Sequence, residues 1–79
     1  MTEEEKKLLS MCRPEVTLQA AVPTVGEGAH LENDPRNRVF YVAACCKSKG
    51  WLEFVRDKEF DQSVFRITQA GAEALAINT

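Results

Sequence analysis

The stretch FRITQAGAEAL, residues 65–75, decides the fold of this chain. Phe65 and Ile67 are separated by one polar residue, which is the spacing of side chains on one face of a β-strand. Thr68 follows at a position where it can cap a helix, and small and apolar residues continue from it at helical spacing. The stretch therefore predicts a last strand that leads directly into a last helix.

Upstream, NDPRNRVFYVAACCKSKG, residues 33–50, predicts the longest helix. Asp34 or Asn33 can cap it, Pro35 suits its first position, and Gly50 suits its end. At 100° per residue, the predicted core face contains Val39, Val42, Ala43 and Cys46, with Phe40 at its edge. The predicted outward face contains Asn37, Arg38, Tyr41, Ala44, Cys45 and Ser48.

Four further segments surround this helix. Residues 2–12 predict a first helix with a capping box, in which the first threonine pairs with a glutamate three positions on. Residues 14–22 fit either a strand or a helix, and we expect a short helix that ends before Pro23. Residues 51–57 and 63–68 are rich in β-branched and aromatic residues and predict two strands around a charged turn.

Length and composition limit the class of protein. A chain of 79 residues predicts one domain, residues 1–79, with a thin core. Apolar residues make up 44% and charged residues 28% of the chain, which is typical of a folded protein. No apolar run approaches the ~18 residues of a membrane span, and the charged N-terminus has no signal-peptide pattern. We therefore expect a cytoplasmic protein with no membrane partner.

Residues with catalytic or metal-binding chemistry are few. The chain has an odd number of cysteines, Cys12, Cys45 and Cys46, and they form no C-x-x-C motif. We therefore expect all three thiols to be reduced, with the alternative that Cys45 is a redox or modification site. His30 is the only histidine and has no cysteine near it in sequence. No nucleophile and base stand at a recognisable spacing. The sequence therefore predicts no enzyme, no cofactor and no metal site.

Charge is unevenly distributed along the chain. Residues 1–35 have three basic and seven acidic side chains, net −4, whereas residues 36–66 have seven basic and four acidic, net +3. Within the long predicted helix, residues 36–49 have a net charge of +4 and no acid. A basic segment in a chain of net charge −2 fits two interpretations, a polyanion partner for that segment or charged side chains that are only solvated.

The segments VAACCKSKGWLEFVRD and SVFRITQAGAEAL resemble the winged helix-turn-helix class, in particular small bacterial and phage-type regulators. In that class a recognition helix ends in Lys/Arg-x-Gly, and a strand of the form (F/Y)-x-(L/I)-T-x-x-G-x-x-A-L leads into the final helix. The matching positions here are Phe65, Ile67, Thr68, Gly71, Ala74 and Leu75. The resemblance covers about residues 36–76 and implies an α+β fold. It implies a small winged-helix domain, with three helices packed on a C-terminal β-hairpin wing and a final short helix.

The resemblance also implies a function. Residues 35–49 would be a recognition helix in the major groove of double-stranded DNA, and residues 56–58 would contact phosphate. The expected DNA-binding residues are Arg36, Asn37, Arg38, Tyr41, Lys47, Ser48, Lys49, Arg56 and Lys58. A homodimer is the arrangement expected of such a regulator.

An alternative remains open from the residues themselves. The N-terminal half is acidic, residues 23–33 predict a long loop, and the predicted hairpin tip contains Asp57, Glu59 and Asp61. These features favour a protein-interaction module, such as a small adaptor or inhibitor, that uses the same fold without DNA. The loss of binding as salt is added distinguishes the two, because phosphate contacts are strongly salt-dependent.

Overall fold

The computed structural model describes residues 1–26, 34–57 and 62–78. In these ranges the chain forms a small α+β domain of four helices and one three-stranded antiparallel sheet. The elements in chain order are α1 (Glu3–Met11), β1 (Glu15–Thr17), α2 (Leu18–Val25), α3 (Pro35–Ser48), β2 (Leu52–Asp57), β3 (Gln62–Ile67) and α4 (Gln69–Ile77). None of these helices combines the length and the apolar character needed to cross a bilayer.

The helix starts predicted from capping residues are confirmed. The Thr2 hydroxyl accepts the Glu5 amide at 3.1 Å, and the Glu5 carboxylate accepts the Thr2 amide at 2.9 Å, which completes the capping box. Asp34 caps α3 by accepting the Arg36 amide at 2.9 Å, with Pro35 in the first turn. Local side-chain chemistry therefore fixes where α1 and α3 begin.

The expected helix within residues 14–22 was wrong in both of its bounds. The segment divides into β1 and then α2, which begins at Leu18 and continues through Pro23 to Val25. Pro23 lies late in the helix, where its missing N–H removes only one helical hydrogen bond, and the next turn buries Val25 in the core. Residues 23–25 of the expected loop are therefore helical, and residues 27–33 lie outside the described ranges.

The sheet has one strand more than the expected hairpin. Its order is β1-β3-β2, and Phe65 on the central strand pairs with Val16 on one side and Phe54 on the other. Because cross-strand partners share a face, these three side chains point to the side covered by the helices. Strand β1 has only three residues, so its sequence alone carries no readable period.

The core lies between the helices and this face of the sheet. Its buried residues are Leu8, Leu9, Cys12, Val16, Leu18, Ala21, Val25, Val39, Val42, Ala43, Cys46, Leu52 and Phe65. The predicted core face of α3 is confirmed, because all four of its residues belong to this set. One face of α3 is therefore fixed against the core, and the other is available to solvent.

Helix α4 fixes the start of β2 through its first turn. Thr68 caps α4 by accepting the Gly71 amide at 3.0 Å, and its hydroxyl donates to the Gly50 carbonyl at 2.6 Å. A Cβ on Gly71 would collide with the backbone carbonyl of Trp51. Gly50 has φ +80°, a conformation that glycine adopts readily, and it turns the chain from α3 into β2. The junction therefore sets the hairpin against the end of α3.

Candidate functional site

Helix α3 exposes a stripe of polar and small side chains. Asn37, Tyr41, Ala44 and Ser48 recur at helical spacing and are all exposed, with Tyr41 at 62%. The predicted outward face also included Arg38 and Cys45, which are instead half-buried. Helix α1 packs beside α3, and these two side chains lie on the side that it approaches. The solvent-facing stripe is thus narrower than the sequence indicated.

One side of α3 is held to α1 by ion pairs, and we call it the α1 flank. The Arg38 guanidinium donates to both carboxylate oxygens of Glu4, and its Nε–Oε2 distance is 2.6 Å. The Lys49 Nζ lies 2.9 Å from Oε2 of Glu5, whose side chain is only 3% exposed. Because each cation has a carboxylate of α1 as its partner, this flank holds the two helices together.

The pKa values of the two glutamates reflect this arrangement. The hydrogen bond from Arg38 lowers the pKa of Glu4. Burial raises the pKa of Glu5, but the hydrogen bonds from Lys49 and Thr2 outweigh burial, so that its pKa also lies below the usual glutamate value. Both carboxylates are therefore charged at neutral pH.

A groove of about 460 Å³ runs along the α1 flank. Its lining residues are Thr2, Glu4, Glu5, Arg38, Tyr41, Val42, Cys45, Ser48 and Lys49. The Arg38 guanidinium lies 5.3 Å from the centre of the Tyr41 ring, as well as on Glu4. The two cations that a polyanion would use on this side are therefore already bound to acids of the same chain.

The opposite side of α3 faces β2 and β3, and we call it the sheet flank. The rings of Phe40 and Phe54 meet buried Phe65 at 5.9 and 5.4 Å, both in edge-on geometry. Phe40 remains 37% exposed and Phe54 42% exposed. The Lys47 ammonium lies 4.9 Å from the centre of the Phe54 ring. This flank therefore combines exposed aromatic surface with a cation.

The other predicted DNA-binding residues are divided among several places. Arg36 is exposed and pairs with Asp34, with Nη2 and Oδ2 at 3.0 Å. Arg56 is exposed on β2, and with Phe40 and Phe54 it lines a groove on the sheet flank. Lys58 lies outside the described residues. The predicted residues with described placements therefore lie on three sides of α3 and do not form one uniformly basic face.

The buried cysteines have the chemistry of core residues. Burial raises the pKa of the Cys12 thiol to about 11 and that of Cys46 to about 12. Both are therefore protonated at neutral pH and unreactive as nucleophiles. Cys45 is half-buried in the groove of the α1 flank. Among the residues with described placements, no group of histidine, cysteine and acidic side chains could hold a metal ion.

Sequence reasoning missed two sets of residues. Glu4 and Glu5 were interpreted only as first-turn residues of α1, although they neutralise cations of α3 more than 30 positions away. The pairing of Phe40 with the sheet was also missed. Alternation within β2 places Phe54 on the same face as buried Leu52, and that spacing was the available signal.

Comparison with known proteins gives no family for this chain. No protein-family model matches it, and no curated protein matches it. Its function must therefore be inferred from the fold and from the surface of α3, with its polar stripe between a charged flank and an aromatic flank.

Proposed function

We propose that the chain is a winged-helix protein that binds double-stranded DNA through α3. The element order supports a winged-helix fold. Helix α1, strand β1 and helices α2 and α3 come first, and the hairpin of β2 and β3 follows. Strand β1 adds a third strand to this hairpin by pairing with β3. In a winged helix of this order, α3 is the recognition helix and β2 and β3 form the wing. Arg56 on β2 would then lie beside the DNA backbone, as would Lys58.

The observation that carries the proposal is the exposed stripe of α3. Asn37, Tyr41 and Ser48 offer an amide and two hydroxyl groups that can form hydrogen bonds with base edges or phosphate oxygens. Ala44 lies between them and is small enough to let a groove wall come close. An α-helix fits the major groove of B-DNA, so this stripe would face the bases.

Ion pairs within the protein set the expected strength of binding. Three of the four cations in residues 36–49 are paired with carboxylates, namely Arg36, Arg38 and Lys49. The Arg36 pair is exposed, so phosphate can replace Asp34 there at low cost. The other two pairs lie on the α1 flank, where they also join two helices. We therefore expect a moderate salt dependence, with fewer phosphate contacts than the sequence charge indicates.

The test is a titration of a labelled mixed-sequence DNA duplex, followed by fluorescence anisotropy at several salt concentrations. Changing both Arg36 and Asn37 to alanine is expected to weaken binding about tenfold or more, through one phosphate and one base contact. Arg66→Ala is the matched control, because Arg66 is equally an exposed arginine in an ion pair, with Glu15, on the sheet. Failure to bind at low salt, or an equal loss in the control, would contradict the proposal.

A second candidate function is a protein-interaction module. It is favoured by the exposed aromatic rings of Phe40 and Phe54, since exposed apolar surface beside polar residues is typical of protein-binding sites. The internal pairing of the α3 cations favours it as well. A complex with a protein that persists at high salt, together with no duplex binding, would favour this candidate over DNA.

A further inference from the structure

The sheet flank contains a groove between α3 and the hairpin formed by β2 and β3. Its volume is about 230 Å³, and its lining residues are Phe40, Phe54, Val55, Arg56, Ser63, Val64 and Phe65. Phe65 is buried beneath, and the rings of Phe40 and Phe54 both contact it edge-on. A groove smaller than a typical ligand pocket, with aromatic side chains, suits one bulky apolar side chain.

A cation lies at the edge of this groove. The Lys47 ammonium lies over the Phe54 ring at 4.9 Å, and Arg56 is itself a lining residue. Among the described lining residues there is no carboxylate. Lys47 differs in this from the cations of the α1 flank, because it lies on a ring, whereas Glu4 and Glu5 neutralise Arg38 and Lys49. The sheet flank therefore favours an apolar group with negative charge beside it.

We propose that this groove binds an acidic peptide segment of a partner protein. One bulky apolar side chain of the segment inserts between Phe40 and Phe54, and a neighbouring carboxylate pairs with Lys47. Aromatic anchors in a pocket with a charged rim supply most of the affinity in such complexes. The proposal rests on the protein-interaction function and specifies its site and its partner's chemistry.

Single-stranded nucleic acid fits the same groove less well. A base binds by stacking on an open aromatic face, but Lys47 lies over a face of Phe54. Phe40 is more than half covered and meets Phe65 at 88°, edge to face. An aliphatic or aromatic side chain of a peptide can bind without an open ring face. The Lys47 ammonium, which hinders stacking of a base, would instead form an ion pair with a carboxylate of the peptide.

The test begins with a displayed library of random peptides selected against the full chain. We expect the selected peptides to share glutamate or aspartate around one aromatic or branched apolar residue. The consensus peptide is then synthesised with a fluorescent label. In matched peptides, serine replaces the apolar residue or lysine replaces the acids, and both are expected to bind about tenfold or more weakly.

Two protein variants locate the peptide on the groove. Phe54→Ala is expected to weaken binding about tenfold, and Lys47→Gln about threefold, with a flatter salt dependence. Thermal unfolding checks that both variants fold, and Lys47→Gln leaves the core untouched. Ile77→Ala, on an exposed apolar residue of α4, and Lys6→Gln, on α1, are matched controls in which binding should not change.

The outcomes separate this inference from the proposed functions. Acidic peptides that lose affinity only with the groove variants support it. If the selected peptides bind equally well to Phe54→Ala and Lys47→Gln, the groove is not the binding site, although the protein-interaction function stands. Failure to select any acidic peptide contradicts both the groove as a site and the protein-interaction function. Binding of a single-stranded oligonucleotide that depends on Phe54, in place of a peptide, would also overturn it. Loss of duplex binding in the Arg36 and Asn37 variant leaves the peptide result unaffected.

Discussion

The two flanks of α3 use cations in different ways. On the α1 flank, Arg38 and Lys49 pair with carboxylates of α1, one of which is almost fully buried. On the sheet flank, Lys47 lies over the exposed ring of Phe54. The first arrangement joins two helices, whereas the second leaves charge and aromatic surface side by side at the edge of a groove. The formal charge of a helix therefore overstates what it can offer to a polyanion.

The sheet flank is better suited to binding than the α1 flank. Where charges are paired within the chain, a ligand must replace existing hydrogen bonds, and its net gain is small. Where exposed rings lie beside a cation, a ligand can cover apolar surface that water now contacts. The polar stripe between the flanks can contribute to either mode, because its side chains are exposed.

The largest expected effect comes from disrupting the contact between α4 and the start of β2, which positions the hairpin of the sheet flank. Gly71→Ala would place a methyl group against the Trp51 carbonyl at the start of β2, so α4 and the hairpin must separate. We expect a loss of about 3 kcal/mol in the free energy of unfolding, a large part of the stability of a domain of this size. Urea denaturation followed by circular dichroism measures it.

Ala72→Ser is the control for this prediction. The residue is the next one in α4 and its side chain is exposed, so an added oxygen can point into solvent. Its free energy of unfolding should stay within about 0.5 kcal/mol of the wild type. Equal stability of Gly71→Ala and the wild type would show that the hairpin does not depend on the close approach of α4.

The next effect tests the α1 flank through pH. Glu5→Gln keeps an acceptor for the Thr2 amide and removes the charge that binds Lys49, so we expect a loss of about 1 kcal/mol at pH 7. The pKa of Glu5 is lowered on folding, so its stabilising effect is complete above the usual glutamate range. It is lost as the pH falls through the lowered folded value. The difference in the free energy of unfolding between the wild type and Glu5→Gln should therefore vanish in acid.

Glu3→Gln is the matched control on α1. Glu3 lies in the same first turn, but its side chain is exposed and its nearest cation, Lys6, is 3.7 Å away. Exposed pairs of this kind contribute about 0.5 kcal/mol or less. If the Glu5→Gln difference stayed constant from neutral pH into acid, the charge of Glu5 would not be what holds α1 to α3.

The sequence predicted those parts of the fold that depend on neighbouring residues. The capping box of Thr2, the cap at Asp34 and the core face of α3 all follow from local chemistry and spacing. For residues 14–22 the sequence allowed a strand or a helix and could not divide the segment into β1 and α2, because three residues form a strand only by pairing with β3 across the fold. The prediction that α2 ends before Pro23 was wrong for a similar reason. Burial of the following turn in the core outweighs the one hydrogen bond that the proline removes.

The candidate site shows the same limit. The sequence placed Asn37, Tyr41 and Ser48 on the exposed side of α3, and they are exposed. It could not assign partners to the cations, because Glu4 is 34 positions from Arg38 and comes near only through helix packing. Composition counts charges, whereas the electrostatic footprint depends on which charges the fold brings together.

The smallest expected effect sharpens the contrast between the flanks. Lys47→Gln removes the cation over the Phe54 ring, and we expect a loss of about 0.5 kcal/mol in the free energy of unfolding, typical of an exposed cation–π contact. In a Phe54→Leu background the same change should have no effect, so a double-mutant cycle measures the coupling. A coupling as large as the effect of Glu5→Gln would mean that both flanks hold α3 by charge. The sheet flank would then have less reason to accept an acidic partner, because its cation would already be bound.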